Sequence, residues 1–495
     1  MLDSVFNYPL VTSVIAGLLL VGIVGKFLKV SFKQIAKWYL YVSVLAVVVV
    51  MDSIFFPFIG GKDYFFRFAV ELSLISLILY WAFEARKDEI KQLFTSAYKK
   101  PLVIAVTVFA GAFLLACIFA LDAHAAFWSN YERGEGGFQM IHYYLFFMLL
   151  VMLFQEESDW KNIFRWSLVA SGLMIIYGLL GDFMVSGFIG PYSGGNPPIG
   201  WWHLLIDGRF EGSLGNPAYV APYLIFASFY AVYLWLSAKI EHTATKLTTW
   251  GYSILLLVFL VFFILTQTRG AFLGLGAGII ALLLYFAFTG SAKVRKWTAA
   301  VAILLVILGV GAYAERNSSF VQNLPEGRLL EISVSDASAQ TRFWVWGEAW
   351  QGFLARPITG WGPENFTAVF DKYFNPNFYA PAQNTETWFD QAHSIFFDYL
   401  SETGIIGFLA YFSIFFIIFW EFFRRRQLHK RGEYGAGLTI LRGMILALPV
   451  AYLVQGVAIF DVFPMYINLF IFFAFAAYYF SAHHHVAREE AAIQN

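Results

Sequence analysis

Long apolar runs recur along the chain near residues 8–28, 38–59, 64–85, 101–121, 139–155, 163–185, 216–238, 248–267, 270–289, 297–313, 394–420, 437–458 and 463–480. Each is close to the roughly 20 residues a helix needs to cross a hydrocarbon core about 30 Å thick. They predict about 13 helices, in a range of about 12–14 because short or broken spans are hard to count. A transmembrane barrel is excluded, since its segments are about 10 residues of alternating polarity. The expected fold class is an all-α polytopic integral membrane protein with one large folded extracytoplasmic loop.

That loop is the one long polar stretch, residues 314–393, between the runs ending at Tyr313 and beginning near Ile395. A connector of about 80 residues is far longer than two neighbouring helices need. Disorder is disfavoured by Phe343, Trp344, Trp346, Trp350, Phe353, Leu354, Trp361 and Phe366, which suffice for a small core. The spacing predicts one helix over Ala337–Ala355, with Asp336 as N-cap, or Ser338 if it starts later, and Pro357 as a stop. Phe343, Trp346, Trp350 and Phe353 would form its apolar face. Gly360-Trp361-Gly362-Pro363 reads as a turn, residues 373–387 as irregular, and a second helix is expected from near Thr387 into the membrane. The chain thus divides into membrane helices 1–10 (residues 1–313), a cap (314–393), and helices 11–13 with a tail (394–495).

Charge orients the helices. Hydrophobic residues make up 59% of the 495 and charged residues 13%, with a mean hydropathy of +0.64. Lysines and arginines cluster at 26–37, 86–100, 239–246, 293–296 and 424–431, on alternate loops, which are therefore cytoplasmic. The cap falls on the opposite face, with nine acids against five bases. A formal net charge of zero argues against a nucleic-acid partner. Cys117 is the single cysteine and lies in an apolar run, which excludes a disulfide or thiolate metal site. The N-terminus lacks a basic n-region, so the first run is expected to be a retained helix. Most of the aromatics suit lipid contact and interfacial belts, although Trp201, Trp202 and the tryptophans of the cap also suit stacking against sugars.

Three residues carry candidate chemistry. Arg269 stands in Thr266-Gln267-Thr268-Arg269-Gly270, a tight turn followed by Gly274, Gly276 and Gly278. Small residues there let helices approach and hold the turn, so Arg269 is either a snorkelling interfacial arginine or an anion partner. Arg342 lies in the N-terminal half of the cap helix, where a cation gains nothing from the helix dipole; a solvated arginine and an anion-binding one both fit. His393 stands at the mouth of the following helix, a structural histidine or a proton carrier near neutral pH, with Asp390 and Glu402 nearby to orient or charge it. No Asp-x-Asp, HExxH, Walker A or Gly-x-Ser-x-Gly motif occurs, and the run His483, His484, His485 falls on the expected cytoplasmic tail. Two arginines and a histidine on the outer face, without a metal motif, suit a substrate whose phosphates are met by guanidinium forks.

These motifs together resemble the O-antigen ligase and polymerase superfamily of bacterial envelope glycosyltransferases. The carriers are Thr266 with Thr268-Arg269-Gly270; Arg342 through Trp346 to Pro357, Gly360 and Gly362; and His393-Ser394 with Glu402, Gly404 and Gly407. Asn130 to Gly136 and Arg209-Phe210-Glu211-Gly212 are similar to other external loops of its members. The resemblance implies a multi-pass protein of the bacterial inner membrane whose active site faces the periplasm. It implies metal-independent, inverting glycan transfer from an undecaprenyl-diphosphate carrier, without a cofactor. The acceptor expected first is lipid A–core, as in a ligase; a polymerase or a protein-directed oligosaccharyltransferase is the alternative. The expected catalytic residues are His393, Arg269 and Arg342, with Arg133, Arg209 and Glu402 as substrate contacts. A lipid-linked sugar or solute transporter is the reading from another class, and the paired repeats with broken helices that would favour it are not found.

Overall fold

The structure, a computed structural model, describes residues 27–130 apart from 52 and 55, 133–183, 209–315, 318, 337–379, 387–424 and 436–493, with isolated positions between 17 and 25. The expectations placed on Trp201, Trp202, Asp336 and the first apolar run fall outside these residues or almost so, as do the side chains of Ser338 and of the histidine run.

The described residues are helical, with no strand among them. In chain order the helices are α1 (Phe32–Ser43), α2 (Gly60–Phe83), α3 (Lys87–Tyr98), α4 (Pro101–Ile118), α5 (Ala123–Trp128), α6 (Gly137–Leu153), α7 (Glu157–Phe183) and α8 (Pro217–Ile240). There follow α9 (Lys246–Leu265), α10 (Arg269–Thr289), α11 (Ala292–Ala314), α12 (Ala337–Ala355), α13 (Phe366–Tyr373), α14 (Ile395–Arg424), α15 (Ala436–Gln455) and α16 (Phe463–Ile493). Among the described residues nine helices are long and apolar enough to cross a membrane, and α6 and the apolar part of α15 are shorter. The protein is an all-α polytopic membrane protein.

Two expectations about helices are corrected. The run 38–59 is not one span: α1 ends at Ser43, a 3-10 turn covers Val44–Val48, and extended chain follows. There the buried Lys62 donates to the carbonyls of Val49 and Ser213, and Ser213 Oγ to that of Val47, so these carbonyls serve tertiary contacts. The second helix near the cap starts at Ile395, not near Thr387. Asp398 sets that start by accepting the backbone N–H groups of Ala392 (2.6 Å) and Ser394 (3.2 Å), a side-chain cap for donors that the start of a helix leaves open.

The two ends of the bundle differ in chemistry. At one, lysines pair with acids between helices: Lys37 with Asp159 at 2.8 Å, Lys33 with Glu89 at 3.3 Å, and Lys161 with Glu241. The N-termini of α2, α6, α8, α10, α14 and α16 gather at the other, together with α12 and α13. Small residues bring α10 against α15 there, since a Cβ on Gly274 would lie 2.6 Å from the Ala451 carbonyl and one on Gly278 2.9 Å from Ala451 Cβ. Gly276 meets nothing within 4 Å and Gly270 only ordinary contacts, so of these four glycines of α10 the i, i+4 pair Gly274 and Gly278 makes the close approach.

The most informative element is α14, which is broken at Gly404 (φ 62°, ψ −167°). The rings of Tyr399 and Tyr411 stack with centroids 4.0 Å apart, whereas a straight helix would separate their backbones by about 18 Å. Depth tells the same story. The N–H of Ile395 bonds to the carbonyl of Gly456 (2.9 Å), two residues from the Ala458 that faces Gly270 at the start of α10. Phe422 packs on Tyr285 near the other end of α10. Between those levels α10 rises about 23 Å, while a straight α14 would rise about 40 Å. The difference is taken up by residues 395–403, which run across the bundle rather than along it.

A strap from the cap, residues 357–362, fills the break. The N–H groups of Ile405 and Ile406 donate to the carbonyls of Pro357 (2.8 Å) and Ile358 (3.3 Å). The carbonyls of Ser401 and Glu402 accept from Trp361 (2.9 Å) and Gly362 (2.8 Å). Backbone groups that a helix break leaves open are thereby closed without water. Gly360 (φ 71°) and Gly404 face each other so closely that a Cβ on either would sit 2.3–2.4 Å from the opposing backbone, and both need the left-handed conformation.

The cap has its own core: Val345, Ala349, Trp361, Phe366, Val369, Phe370, Phe378, Phe389 and Ala392, with Trp344 and Trp346 packed against it. Here the expected apolar face of α12 is corrected. Of its four residues Trp346 packs inward and Phe353 is half-buried, but Phe343 and Trp350 are exposed, as is Leu354, while Thr341, Val345, Glu348, Ala349 and Gly352 point inward. Glycine at 352 lets α12 pack on Val369 of α13, so small residues rather than large aromatics line the contact.

Candidate functional site

His393 sits on the segment just before α14 in the left-handed region (φ 55°), a conformation costly for a residue with a Cβ. The strain is held from both sides. Asp398 binds the N–H groups flanking it, and Trp346 Nε1 donates to the carbonyl of Ala392 at 3.1 Å. The imidazole lies edge-on between Phe389 and Phe460, with centroids 5.3 and 4.9 Å away. Its Nδ1 is 3.1 Å from the Gln391 carbonyl. A carbonyl only accepts, so Nδ1 carries the proton and Nε2 the lone pair. Burial pushes its pKa down to about 4; the Gln391 carbonyl and Asp390 raise it, and the cations Arg342 and Arg133 lower it. The ring is therefore neutral at physiological pH, with Nε2 as a hydrogen-bond acceptor.

The structure thus brings Arg342, from α12, within electrostatic reach of His393. The stacking of Trp346 on Phe397 (centroids 5.3 Å, 18°) fixes α12 against α14 one turn beyond Arg342.

Arg269 opens α10 after the turn at Gln267 (φ 49°). Arg209 braces that turn: its Nε donates to the Thr266 carbonyl (2.9 Å) and its Nη2 to Thr268 Oγ1 (3.2 Å), while Phe210 N–H bonds to the Leu265 carbonyl. Thr268 Oγ1 also reaches the Pro217 carbonyl at 3.2 Å, tying the turn to the start of α8. Arg209 is therefore a support of the Arg269 turn as much as a substrate candidate.

Arg133 is engaged more fully. Its guanidinium forks onto Asp390, with Nε to Oδ2 at 2.5 Å and Nη2 to Oδ1 at 2.9 Å. Its Nη1 donates to Tyr219 Oη at 2.9 Å, and its plane lies 4.8 Å from the Phe460 ring. Asp390, expected to orient or charge His393, spends its oxygens on this fork and acts on the histidine through its charge. Glu402 receives the Glu364 N–H at 3.1 Å from inside the break. Both Arg133 and Glu402 line a cavity of about 30 Å³ with Glu135, Glu364, Gln391, Asp398, Phe460 and Asp461. Burial raises the carboxyl of Glu135 well above its usual range, and that of Asp461 to about 6 even though Tyr452, Tyr411 and Tyr399 donate to it.

The six residues singled out in the sequence thus gather at one end of the bundle through short chains of contact. The Arg342 charge on the cap helix reaches His393. Arg209 and Arg269 share a turn whose next contact, α8, carries the Tyr219 that holds Arg133. Phe460 links Arg133 to His393. Sequence reasoning missed Asp398 and Phe460. Asp398 had a legible signal, an acid in the first turn of a helix; Phe460 had none, being one aromatic among many.

This is a multi-pass membrane protein whose motif-bearing polar residues lie together where a helix break and a folded cap meet. Residues 254–412, about a third of the chain, match the O-antigen ligase family model, and the match supports glycan transfer of the O-antigen ligase type. The matched span holds Arg269, Arg342, His393 and Glu402 and leaves Arg133 and Arg209 outside it. No curated protein matches the chain.

Proposed function

We propose that the protein transfers a glycan from undecaprenyl diphosphate to an acceptor hydroxyl, with inversion and without a metal, at the periplasmic face of a bacterial inner membrane. The observation that carries this reading is the placement of His393: its Nδ1 bonds to the Gln391 carbonyl, which leaves Nε2 as acceptor, within electrostatic reach of the Arg342 cation. An acceptor O–H attacks the anomeric carbon, the bond from that carbon to the diphosphate oxygen breaks, and the diphosphate leaves with the electron pair. The acceptor's proton passes to His393 Nε2, a general-base role that suits a positioned histidine. Arg342 and Arg269 meet the charge that grows on the leaving diphosphate, an electrostatic contribution worth orders of magnitude in rate. Arg133, Arg209 and Glu402 hold the surroundings in place and offer secondary contacts to the carrier or sugar.

The face is supported by the segregation of lysine and arginine clusters to the other end of the bundle. Lipid A–core is the acceptor we favour within this family. The test is transfer by the purified, reconstituted protein from a defined lipid-diphosphate glycan to lipid A–core, to a second repeat unit and to protein, each with EDTA present. We expect product on lipid A–core that survives EDTA. Product only on a repeat unit or on protein would reassign the acceptor, and near-normal transfer by Arg269→Ala, Arg342→Ala and His393→Ala alike would remove the mechanism.

A further inference from the structure

The outward face of α12 has no place in the site just described. Trp350 is 46% exposed, Leu354 60% and Ile358, in the strap, 63%. Trp350 and Leu354 fall at i and i+4, so the helix presents them on one side, and Ile358 follows in the strap beyond the helix end. A folded cap in water would be expected to turn such residues inward, and this one instead turns glycine, alanine and valine to its core.

The strap ties these residues to the exposed apolar side of a membrane-spanning helix. Ile358 bonds through its carbonyl to Ile406, and Pro357 to Ile405. Ile405, Ile406 and Leu409 are themselves exposed, and the same helix continues to the 68% exposed Phe416. From the break to its basic end at Arg424, residues 405–424 rise about 30 Å, the thickness of a hydrocarbon core. The break therefore stands at the outer boundary of the bilayer, and Ile358 stands with it. Residues 395–403 run across the bundle at this level. The contacts of Trp346 with Phe397 and of Ile358 with Ile406 show α12 following the same course. A helix lying along a membrane boundary with tryptophan, leucine and isoleucine on its free side has the character of an interfacial helix.

We infer that α12 is a membrane-surface helix: Trp350, Leu354 and Ile358 are seated in the outer leaflet, continuous with the lipid-facing side of α14. The cap is thereby anchored to the bilayer by its own side chains as well as through its chain ends. The inference concerns lipid contact alone and does not depend on the reaction.

The test uses the full chain with the buried Cys117 replaced (Cys117→Ala), reconstituted in phosphatidylcholine–phosphatidylglycerol vesicles. Single substitutions Trp350→Cys, Leu354→Cys, Ile358→Cys, Phe416→Cys and Lys372→Cys are labelled with a nitroxide, and collision rates with oxygen and with a water-soluble nickel chelate are compared. Positions 354 and 358 should share the high oxygen-to-nickel ratio of 416, position 350 should be intermediate, and the exposed Lys372 position should show the reverse. All labelled sites are exposed, so the substitutions leave the cores intact. Nickel accessibility at 350, 354 and 358 equal to that at 372 would overturn the inference. So would dipolar broadening at 354 that disappears on dilution with unlabelled protein, which would assign the face to a second copy of the chain.

Discussion

The two halves of α14 belong to one apolar run and behave as different objects. Residues 405–424 form an ordinary span whose inner side is filled by Ala410, Ile414, Phe415 and Ile418 and whose outer side is exposed. Residues 395–403 are just as regular in backbone, yet they lie across the bundle, carry Asp398 and Glu402 buried, and are fixed at both ends by hydrogen bonds from elsewhere in the chain. Hydropathy describes the first kind of segment well, because lipid asks only for apolar surface. The second kind is set by particular donors and acceptors, and its meaning resides in which backbone groups are met.

Substitutions should separate the halves. The largest effect is expected at the head of the crosswise half: His393→Ala should lower glycan transfer by about 10²- to 10⁴-fold, the usual weight of a positioned base, with amount and insertion of the protein unchanged by membrane fractionation. Next comes Gly404→Ala, which forces a Cβ to within 2.4 Å of the Ile358 carbonyl at a left-handed φ. It should cost more than about 2 kcal/mol, read as a lower midpoint in denaturation and as protease cleavage within the cap. Asp398→Ala should cost about 1–3 kcal/mol by leaving two N–H groups unmet, and it should reduce transfer by releasing His393; Asp398→Asn, which keeps an acceptor oxygen, should recover part of both. In the lipid-facing half, Phe416→Ala should change stability by less than about 0.5 kcal/mol. Equal sensitivity in both halves would dissolve the contrast.

The pH profile sharpens the same comparison at its most polar point. His393 has its pKa depressed to about 4 by burial, so the neutral base persists as pH falls from 7 and is lost only on passing through about 4. An exposed histidine would lose its base form near 6.5. Initial rates of transfer should therefore be flat on the acid side down to about pH 5 as far as His393 controls them. A decline of the His393-dependent rate centred near 6.5 would place the ring in water.

Most helices were legible because an apolar run of span length seldom forms anything but a membrane-crossing helix, and α12 was legible because Pro357 and the polar stretch bounded it. The candidate arginines and His393 stood out in the sequence through their motifs. What the motifs could not disclose is their division of labour: Gly360, Gly362 and Gly404 stitch a break, whereas His393 and Arg342 face each other electrostatically. The crosswise course of residues 395–403 was hidden because their apolar character equals that of a spanning segment. The orientation of α12 was misread because large aromatics look like core material, and at a membrane boundary the free surface accommodates them as well.

The strap has a consequence for how the molecule is made. Residues 357–362 leave the ribosome before Ser401, Glu402, Ile405 and Ile406, the groups they bind. A nascent helix reaching the lateral gate of a translocon as one continuous rod would have no reason to bend at Gly404 unless a partner for the open peptide groups were already present. The order of the chain supplies that partner first. Transplanting the strap to the C-terminal side of α14 by circular permutation would reverse that order while keeping the same sequence of contacts available to form.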